Sequence, residues 1–435
     1  MKRHTGFQLF LMIIVVGLFN VDQFIVSPNL GKIEAEFHVN DASMGLMTMF
    51  FFIVGALVSL IWGYFSDKSN RKILFSLTVL IGQIPCLLTG FATNYTQFFV
   101  FRILTGIGLG ASMPTIFSML GDMYDEKNRA TAVTLMTTVI GIGQIGGPLI
   151  GGYLGPVYGW RLPFKLVAAA NLLTLVFFFL FTEEPKRGAG EESLKDLVEA
   201  GYRYPRTIKL ADYINLAKIK TNIFLFTQGI LGMIPWGAIP FFMVKFLNIH
   251  KGLTIQDATT IFTLFGVGNI VGTIAGGELG GWFLKKNAPD LPRFCAISNL
   301  AGTGVALIMF TILPPGSIAS FLILGFLGSC LLSVTGPNIR TMILDTNPPE
   351  NRGAIFSIFN LTDSVGAGVG PLFAGLISVA FGLNKAMIAS TVIWVPCSFL
   401  LWLCSLVLRG DIDKLHQKID SVAQEMKISH KVNAT

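Results

Sequence analysis

Residues 122–152 read DMYDEKNRATAVTLMTTVIGIGQIGGPLIGG, and residues 345–375 read DTNPPENRGAIFSIFNLTDSVGAGVGPLFAG. The two stretches align without a gap. Each begins with an acidic residue ahead of an Asn-Arg pair and ends in a glycine-rich segment, in which Pro148 falls on Pro371. A pattern that recurs in register over such a length indicates an internal repeat. The chain is therefore predicted to consist of two halves with the same fold.

The composition of the 435-residue chain places both halves in a lipid bilayer. Hydrophobic residues make up 52% of the chain and charged residues 13%, whereas a soluble globular protein has about 25% charged residues. Helices satisfy their own backbone hydrogen bonds in lipid. Apolar runs long enough to form such helices lie at residues 7–27, 44–65, 73–92, 97–119, 131–155, 161–182, 221–246, 258–284, 294–313, 318–343, 354–380 and 386–408. We number them spans 1–12 and predict an all-α membrane protein with twelve transmembrane helices in two six-helix repeats.

A long polar segment separates the sixth span from the seventh. Residues 183–220 mix acidic and basic side chains, and we interpret them as a cytoplasmic linker. The predicted domains are a first six-helix bundle over residues 1–182, the linker, and a second bundle over residues 221–408. In the tail, residues 409–435, apolar residues recur every three or four positions. That spacing predicts an amphipathic helix lying on the membrane surface.

The net charge of +7 does not indicate a nucleic-acid partner, because the basic residues are distributed by membrane side. With the N-terminus in the cytoplasm, most of the 32 Lys and Arg residues fall on the cytoplasmic side. The exceptions are Lys32, Arg161, Lys251 and Lys385 outside, and Arg102, Lys165, Lys245 and Arg340 within or at the ends of spans. This bias predicts a multi-pass protein of the cell (inner) membrane with both termini in the cytoplasm.

Neither cysteine nor histidine indicates catalysis. The five cysteines all lie within predicted spans without a CxxC pair, and the five histidines all lie outside the spans. A metal site or a nucleophile–base pair needs such residues close together. We therefore expect no enzyme activity, no metal ion and no cofactor.

Three motifs resemble those of the major facilitator superfamily. GYFSDKSNRK at 63–72 resembles its loop signature G-x-x-x-D-R-x-G-R-K, with Lys and Asn in place of the usual Arg and Gly. RILTGIGLG at 102–110 resembles R-x-x-Q-G-x-G, and GQIGGPLIGG at 143–152 matches the antiporter motif G-x-x-x-G-P-x-x-G-G. The chain is identified as a member of this superfamily. Its branch resembles the drug:proton antiporters and, through the Asn of the loop motif, the Spinster-like lysolipid and sphingolipid transporters.

The resemblance implies a set of gating residues. In the superfamily, charges of the loop motif are implied to hold the cytoplasmic side shut, and glycines and prolines let helices pack closely and bend. The corresponding residues here are Gly63, Asp67, Arg71, Lys72, Asp122, Arg129, Asp345, Arg352, Gly143, Gly147, Pro148, Gly151, Gly152, Gly370 and Pro371. The alternative is that these charges only mark a solvated cytoplasmic loop.

Asp363 lies close to the middle of span 11. No basic residue is predicted at its depth in the second half, because Lys245 and Arg340 lie toward opposite membrane faces. An unpaired carboxylate in lipid is costly in its ionised form, and ionisable groups there are commonly functional. We therefore predict that Asp363 carries a proton. The alternative is a neutral side chain hydrogen-bonded to Thr362, Asn360 or a neighbouring helix.

Asp22 and Arg102 are predicted to lie at similar depths in spans 1 and 4. An ion pair between them would join two helices of the first half. Such a pair could take part in proton coupling, or it could be structural, since each buried charge needs a partner.

Candidate substrate-binding residues lie in spans 1, 7 and 11. Span 7 carries Gln228 and Trp236 together with two prolines, which predicts a broken helix lining a cavity. The tryptophan could instead be an anchor at the membrane interface. Asn20 and Gln23 lie where Spinster-like transporters have N-x-x-D-R, although the spacing here differs. Asn360 lies one helical turn from the predicted proton carrier.

These observations predict a secondary active transporter that works by alternating access. We expect a proton-coupled antiporter that exports an amphipathic or lipophilic organic solute, such as a lysolipid. A symporter that takes up a sugar, organic acid or peptide is the first alternative, and a membrane sensor that binds a ligand without moving it is the second. The expected partners are the small-molecule or lipid-like substrate, protons and the bilayer, with no nucleic acid, and the protein is expected to be a monomer.

Overall fold

The structure is a computed structural model, and it describes residues 2–124, 126–185, 216, 218–347 and 352–432. Twelve helices in these ranges are long and apolar enough to cross a membrane, which confirms the predicted fold class. The helices of the first half are Lys2–Phe24, Val26–Phe37, Asp41–Lys68, Arg71–Thr89, Tyr95–Met123, Glu126–Tyr158 and Arg161–Phe181. Those of the second half are Lys220–Lys251, Ile255–Lys286, Asp290–Thr311, Ile318–Ser333, Thr335–Thr346, Arg352–Phe381, Leu383–Val392 and Trp394–Val432.

Three chain segments that cross the bundle are interrupted in the same way. The helix of span 1 ends at Phe24 and a second helix, Val26–Phe37, follows after one residue. Span 10 is interrupted at Val334 and span 12 at Ile393. In each case a proline follows three residues after the interruption, in the first turn of the next helix. Proline is tolerated there because its missing N–H has no partner in a first turn.

Span 7 differs from the prediction. It is one unbroken helix, Lys220–Lys251, with both Pro235 and Pro240 inside it, so the prediction of a broken helix was wrong. Neighbouring side chains bond to its carbonyl groups at these prolines. Trp394 donates its indole N–H to the carbonyl of Gly232 (3.1 Å), and Ser27 donates to the carbonyl of Pro240 (2.9 Å). The carbonyl groups that lose their helical donor are those of Leu231 and Trp236, four residues before each proline. These contacts therefore attach span 7 to neighbouring helices close to the prolines and do not replace the missing bonds.

The tail is helical as predicted, and its position on the membrane surface stays a prediction. Its residues continue the helix Trp394–Val432, so the structure has no separate helix beginning near residue 409. Near the start of this extension, Asp411 accepts hydrogen bonds from the backbone N–H and the hydroxyl of Thr221 (3.0 and 2.9 Å). The tail is thereby attached to the first turn of span 7.

The repeated glycines pack the two halves in equivalent ways. A Cβ added at Gly143 or Gly147 would lie 2.6 or 2.2 Å from carbonyl oxygens of span 1, those of Gly17 and Val21. A Cβ added at the counterpart glycines, Gly366 or Gly370, would lie 2.4 or 2.2 Å from the carbonyl oxygens of Ile230 or Ile234 in span 7. Backbones that approach this closely require glycine. The sequence repeat therefore corresponds to a repeated helix contact.

The two halves meet along spans 2 and 11 and along spans 5 and 8. A Cβ added at Gly45 of span 2 would lie 2.3 Å from the carbonyl oxygen of Pro371 in span 11. One added at Gly152 of span 5 would lie 2.0 Å from the hydroxyl of Thr259 in span 8. All four residues lie toward one end of the bundle. We call this end, which carries residues 38–40, 252–254 and 382, the far end. The opposite end, which carries residues 183–185 and 218–220, is the linker end.

Candidate functional site

A cavity of about 470 Å³ lies between the two halves. Its volume is in the range of pockets that hold drug-sized ligands. Aromatic rings form much of its wall, among them Phe51, Phe52, Trp236, Phe265, Phe359 and Trp394. Polar side chains are interspersed with them and include Gln23, Gln144, Gln228, Asn269, Asn299 and Asp363. A cavity with this lining suits a ligand that is largely apolar and has a few polar groups.

Asp363 lines this cavity from span 11. Its carboxylate fits beside span 7 because the neighbouring residue there is a glycine: a Cβ added at Gly229 would lie 3.3 Å from Asp363 Oδ1. Within the part of the chain that the structure describes, the Asp363 carboxylate has neither a hydrogen bond nor an ion pair. The hydroxyl of Thr362, which could have been a partner, donates to the carbonyl of Phe359 instead (2.7 Å).

Arg340 does not lie where the sequence predicted. The sequence placed it near the membrane face, away from the depth of Asp363, yet it lines the same cavity and acts electrostatically on that carboxylate. Span 10 is interrupted at Val334, and Arg340 lies in the helix that follows, Thr335–Thr346. Its guanidinium lies 5.9 Å from the centre of the Phe359 ring. The cavity thus contains an acidic and a basic group.

Gln228 and Trp236 of span 7 both line the cavity, as the prediction placed them. The Trp236 ring packs at 5.7 Å against Trp394 and also at 5.7 Å against Phe265, so it is held in the cavity wall rather than at a membrane interface. The carbonyl oxygen of the Gln228 side chain is buried and has no hydrogen-bond partner among the described residues. Buried polar atoms without a protein partner commonly bind water or a ligand.

Asp22 and Arg102 form the predicted ion pair. Arg102 donates to Asp22 Oδ1 at 2.7 Å, and both side chains are almost completely buried. The guanidinium lies over the rings of Phe51 (4.9 Å) and Phe164 (5.6 Å). Arg102 lines the cavity, so the pair forms part of its wall in the first half. Its role in proton coupling stays a prediction.

The other predicted substrate residues are divided between two locations. Gln23 lines the cavity. Asn20 is buried within the first half, where it donates to the carbonyl of Val16 (2.9 Å) and packs beside Gly143. Asn360 is exposed and lies outside the cavity wall. Gln144, Asn269 and Asn299 line the cavity but were not predicted, because sequence alone does not determine which face of each span points inward.

The far end is closed by a charged cluster that the sequence did not predict. Lys245 of span 7 forms ion pairs with Glu34 and with Asp41, the latter at 2.5 Å. Ser378 of span 11 donates to the second oxygen of Asp41, also at 2.5 Å. Lys245 and Ser378 belong to the second half and the two acids to the first. We call these four residues the far-end gate. The signal in the sequence was two acids between spans 1 and 2, Glu34 and Asp41, and a lysine at the end of span 7.

The predicted gating charges at the linker end are partly described. Arg71 is buried and pairs with Asp122 of span 4 and with Glu184 at the start of the linker (3.1 Å to Glu184). The backbone N–H of Lys72 donates to Glu184 (2.7 Å). These contacts lie within the first half. Gly63 packs near Pro114, and Asp345 is half-buried. The side chains of Asp67, Arg129 and Arg352 lie outside the described residues, as does most of the linker.

Comparison with known proteins identifies the family. The model of the Major Facilitator Superfamily matches residues 12–328 and 290–425, which together span nearly the whole chain. The chain belongs to the Major Facilitator Superfamily. The fold agrees with this assignment, because a solved bacterial homolog of the human lysosomal transporter Spinster, in an inward-facing and unoccupied conformation, superimposes with a TM-score of 0.82. That match is 20% identical and covers 94% of this chain and 99% of the other.

Two curated transporters of the superfamily show which branches are similar. The Sphingosine-1-phosphate transporter SPNS2 of Danio rerio is 24% identical over 410 residues, 89% of this chain and 79% of that protein. Multidrug resistance protein 1 of Bacillus subtilis is 32% identical over 188 residues, 43% of this chain and 46% of that protein. The chain is therefore a multi-pass facilitator similar to both Spinster-like and multidrug transporters.

Proposed function

We propose that this facilitator is a proton-coupled antiporter that exports an amphipathic or lipophilic organic solute by alternating access. The observation that carries the proposal is the position of Asp363 in an aromatic-lined cavity between two halves that are joined at the far end. A carboxylate there can bind either a proton or a cationic or hydrogen-bonding group of the solute. If the proton and the solute compete for this carboxylate, the binding of one releases the other, which is the simplest way to exchange proton for solute.

The orientation follows from the basic residues. The positive-inside distribution assigns the linker end to the cytoplasm, so the far-end gate faces the external side. The conformation with this gate closed is then the one that receives solute from the cytoplasm or the inner leaflet. Opening of the gate, with closure at the linker end, would expose Asp363 to external protons. Proton binding would then release the solute outward. The protonated carrier would return to the state open at the linker end and release the proton to the cytoplasm, where the next solute binds.

The substrate class follows from the cavity wall. Rings such as Trp236, Phe265 and Phe359 offer apolar surface, and Gln228, Asn269 and Asn299 offer hydrogen bonds at separate points. A hydrophilic sugar would leave much of the aromatic surface without a partner. A solute with one polar end and one apolar part can contact both the aromatic rings and the hydrogen-bonding side chains. A lysolipid is one example. The similarity to a sphingosine-1-phosphate transporter and to a multidrug protein supports this class.

The test is transport by purified protein in liposomes, with the pH gradient set in either direction. We expect a fluorescent amphiphile or a labelled lysolipid to move against the flow of protons, and a sugar not to be transported. Movement of solute in the same direction as protons would indicate the symporter alternative. Specific binding without movement under any gradient would indicate the sensor. Transport that is indifferent to the gradient would contradict proton coupling.

A further inference from the structure

The far-end gate contains more negative charge than positive charge. Glu34 and Asp41 are each 8% exposed, and they share one cation, Lys245, whose side chain is 12% exposed. Glu34 Oε1 is buried and has no hydrogen-bond partner among the described residues. If both acids were ionised, the closed gate would hold a net charge of −1 away from water. Burial of an unpaired charge is costly, so this arrangement favours uptake of a positive charge.

We propose that Glu34 and Asp41 together bind one proton when the far-end gate closes and release it when the gate opens. The proton comes from the solvent at the far end, is held between the two carboxyl groups, and returns to that solvent. Closure of the gate is then itself a proton-binding event, separate from any proton on Asp363.

The electrostatics at Glu34 agree with this site. Burial, followed by the neighbouring carboxyl group of Asp41, raises the pKa of Glu34 from 4.5 to about 8, although Lys245 acts in the opposite direction. In an open gate the carboxyl would be hydrated, and its pKa would return toward the ordinary value. The closed state therefore binds more protons than the open state. Closure is favoured at low pH and is lost as the pH rises through about 8.

The other charged groups around the gate have contacts of their own. Lys32 donates to the carbonyl groups of Gly155 and Pro156, and Lys251 donates to that of Leu313. Glu36 pairs with Arg161, and the carboxylate of Asp257 accepts from the hydroxyl of Thr254. His250 stacks on Phe246, Lys385 lies over Phe381, and His38 is exposed. On span 11, which carries Ser378, Asp363 faces the central cavity. Asp41 and Lys245 are therefore the charged side chains that act on Glu34 directly.

This inference rests on the alternating access proposed above, but it requires neither the proposed substrate nor a role for Asp363. It concerns the conformation of the protein without substrate. A conformational measurement can therefore contradict the inference and leave the antiporter proposal intact.

The test measures the opening of the far end as a function of pH. Spin labels at Tyr158 and Ile312, which are exposed at the far end of opposite halves, would report the distance between halves in a variant without the five native cysteines. Without substrate, we expect the closed-to-open ratio to fall as pH rises, by up to about tenfold per pH unit for one proton. Glu34→Gln should stay closed and lose this pH dependence, since a neutral amide imitates the protonated acid.

Two further variants separate the gate from other sites. Glu36→Gln changes an exposed acid on the same helix, and Asp363→Asn changes the cavity acid, so both should keep the pH dependence of the original protein. If Glu34→Gln does not fold, Asp41→Asn tests the same pair. A pH-independent distance in the original protein would overturn the inference. So would a pH dependence that survives Glu34→Gln and Asp41→Asn, or one that disappears only in Asp363→Asn.

Discussion

The carbonyl oxygen of Pro371 lies where a side chain on Gly45 would have to be placed, 2.3 Å from an added Cβ. This contact joins span 2 of the first half to span 11 of the second half. It exists only while the two halves are close together at this depth. The contact therefore offers a way to change the balance between conformations without touching the cavity.

Gly45→Ala should shift the protein toward the state that is open at the far end. The added methyl group clashes with backbone in the closed state, and overpacking of this kind costs about 1–3 kcal/mol. If the open state relieves the clash, the closed-to-open ratio falls by roughly 5- to 150-fold. Distances between spin labels at Tyr158 and Ile312 measure this shift. Gly121→Ala is the control, because a Cβ there meets no atom within 4 Å. An unchanged ratio in Gly45→Ala would contradict the prediction.

Lys245→Met should also open the far end. The substitution removes the cation and leaves Glu34 and Asp41 buried without a positive partner, and breaking a buried pair in this way costs about 3–5 kcal/mol. Lower pH should partly restore closure, because protonation neutralises the acids. The same distance measurement applies. Lys385→Met is the control, since Lys385 is exposed and lies over Phe381. If both variants behaved alike, the ion pairs would not hold the gate.

Gly147→Ala should destabilise the first half itself. The added Cβ would lie 2.2 Å from the carbonyl oxygen of Val21, within the contact between spans 1 and 5. The expected loss is about 1–3 kcal/mol, seen as a lower melting temperature of the detergent-solubilised protein. Gly141→Ala lies in the same helix and meets nothing within 4 Å, so its melting temperature should be unchanged or slightly higher. Equal effects of the two substitutions would show that close packing at Gly147 is unimportant.

The fold was largely predictable because it depends on composition and repetition. A helix that crosses lipid needs a long apolar run, and such runs are visible directly in the sequence. The interruptions of the helices were harder to predict. Prolines follow the interruptions of spans 1, 10 and 12, whereas span 7 stays one helix through Pro235 and Pro240, with carbonyl groups near them bonded to side chains of neighbouring helices. Those neighbours, Trp394 and Ser27, are distant in sequence.

The site was predictable only in part. Asp22 and Arg102 could be matched because both lie in the first half at similar depths. Lys245 could not be matched with Glu34 and Asp41, since its partners depend on how the halves meet. Asn20 was assigned through the resemblance to the N-x-x-D-R pattern and Asn360 through its nearness in sequence to Asp363, but neither lines the cavity. A helix turns about 100° per residue, so Asn20 lies about 200° around the helix from Asp22. Asn360 lies about 60° from Asp363, and this offset is enough to place it outside the cavity wall.

The measurement that tests the central claim most directly compares two kinds of transport by Asp363→Asn in liposomes. Glu278→Gln is the control, because Glu278 is an exposed acid in span 8 that does not line the cavity. We predict that Asp363→Asn still exchanges labelled solute at equal pH on both sides but no longer accumulates it in response to a pH gradient. The control should do both. Gradient-driven accumulation by Asp363→Asn at the rate of the original protein would contradict the account.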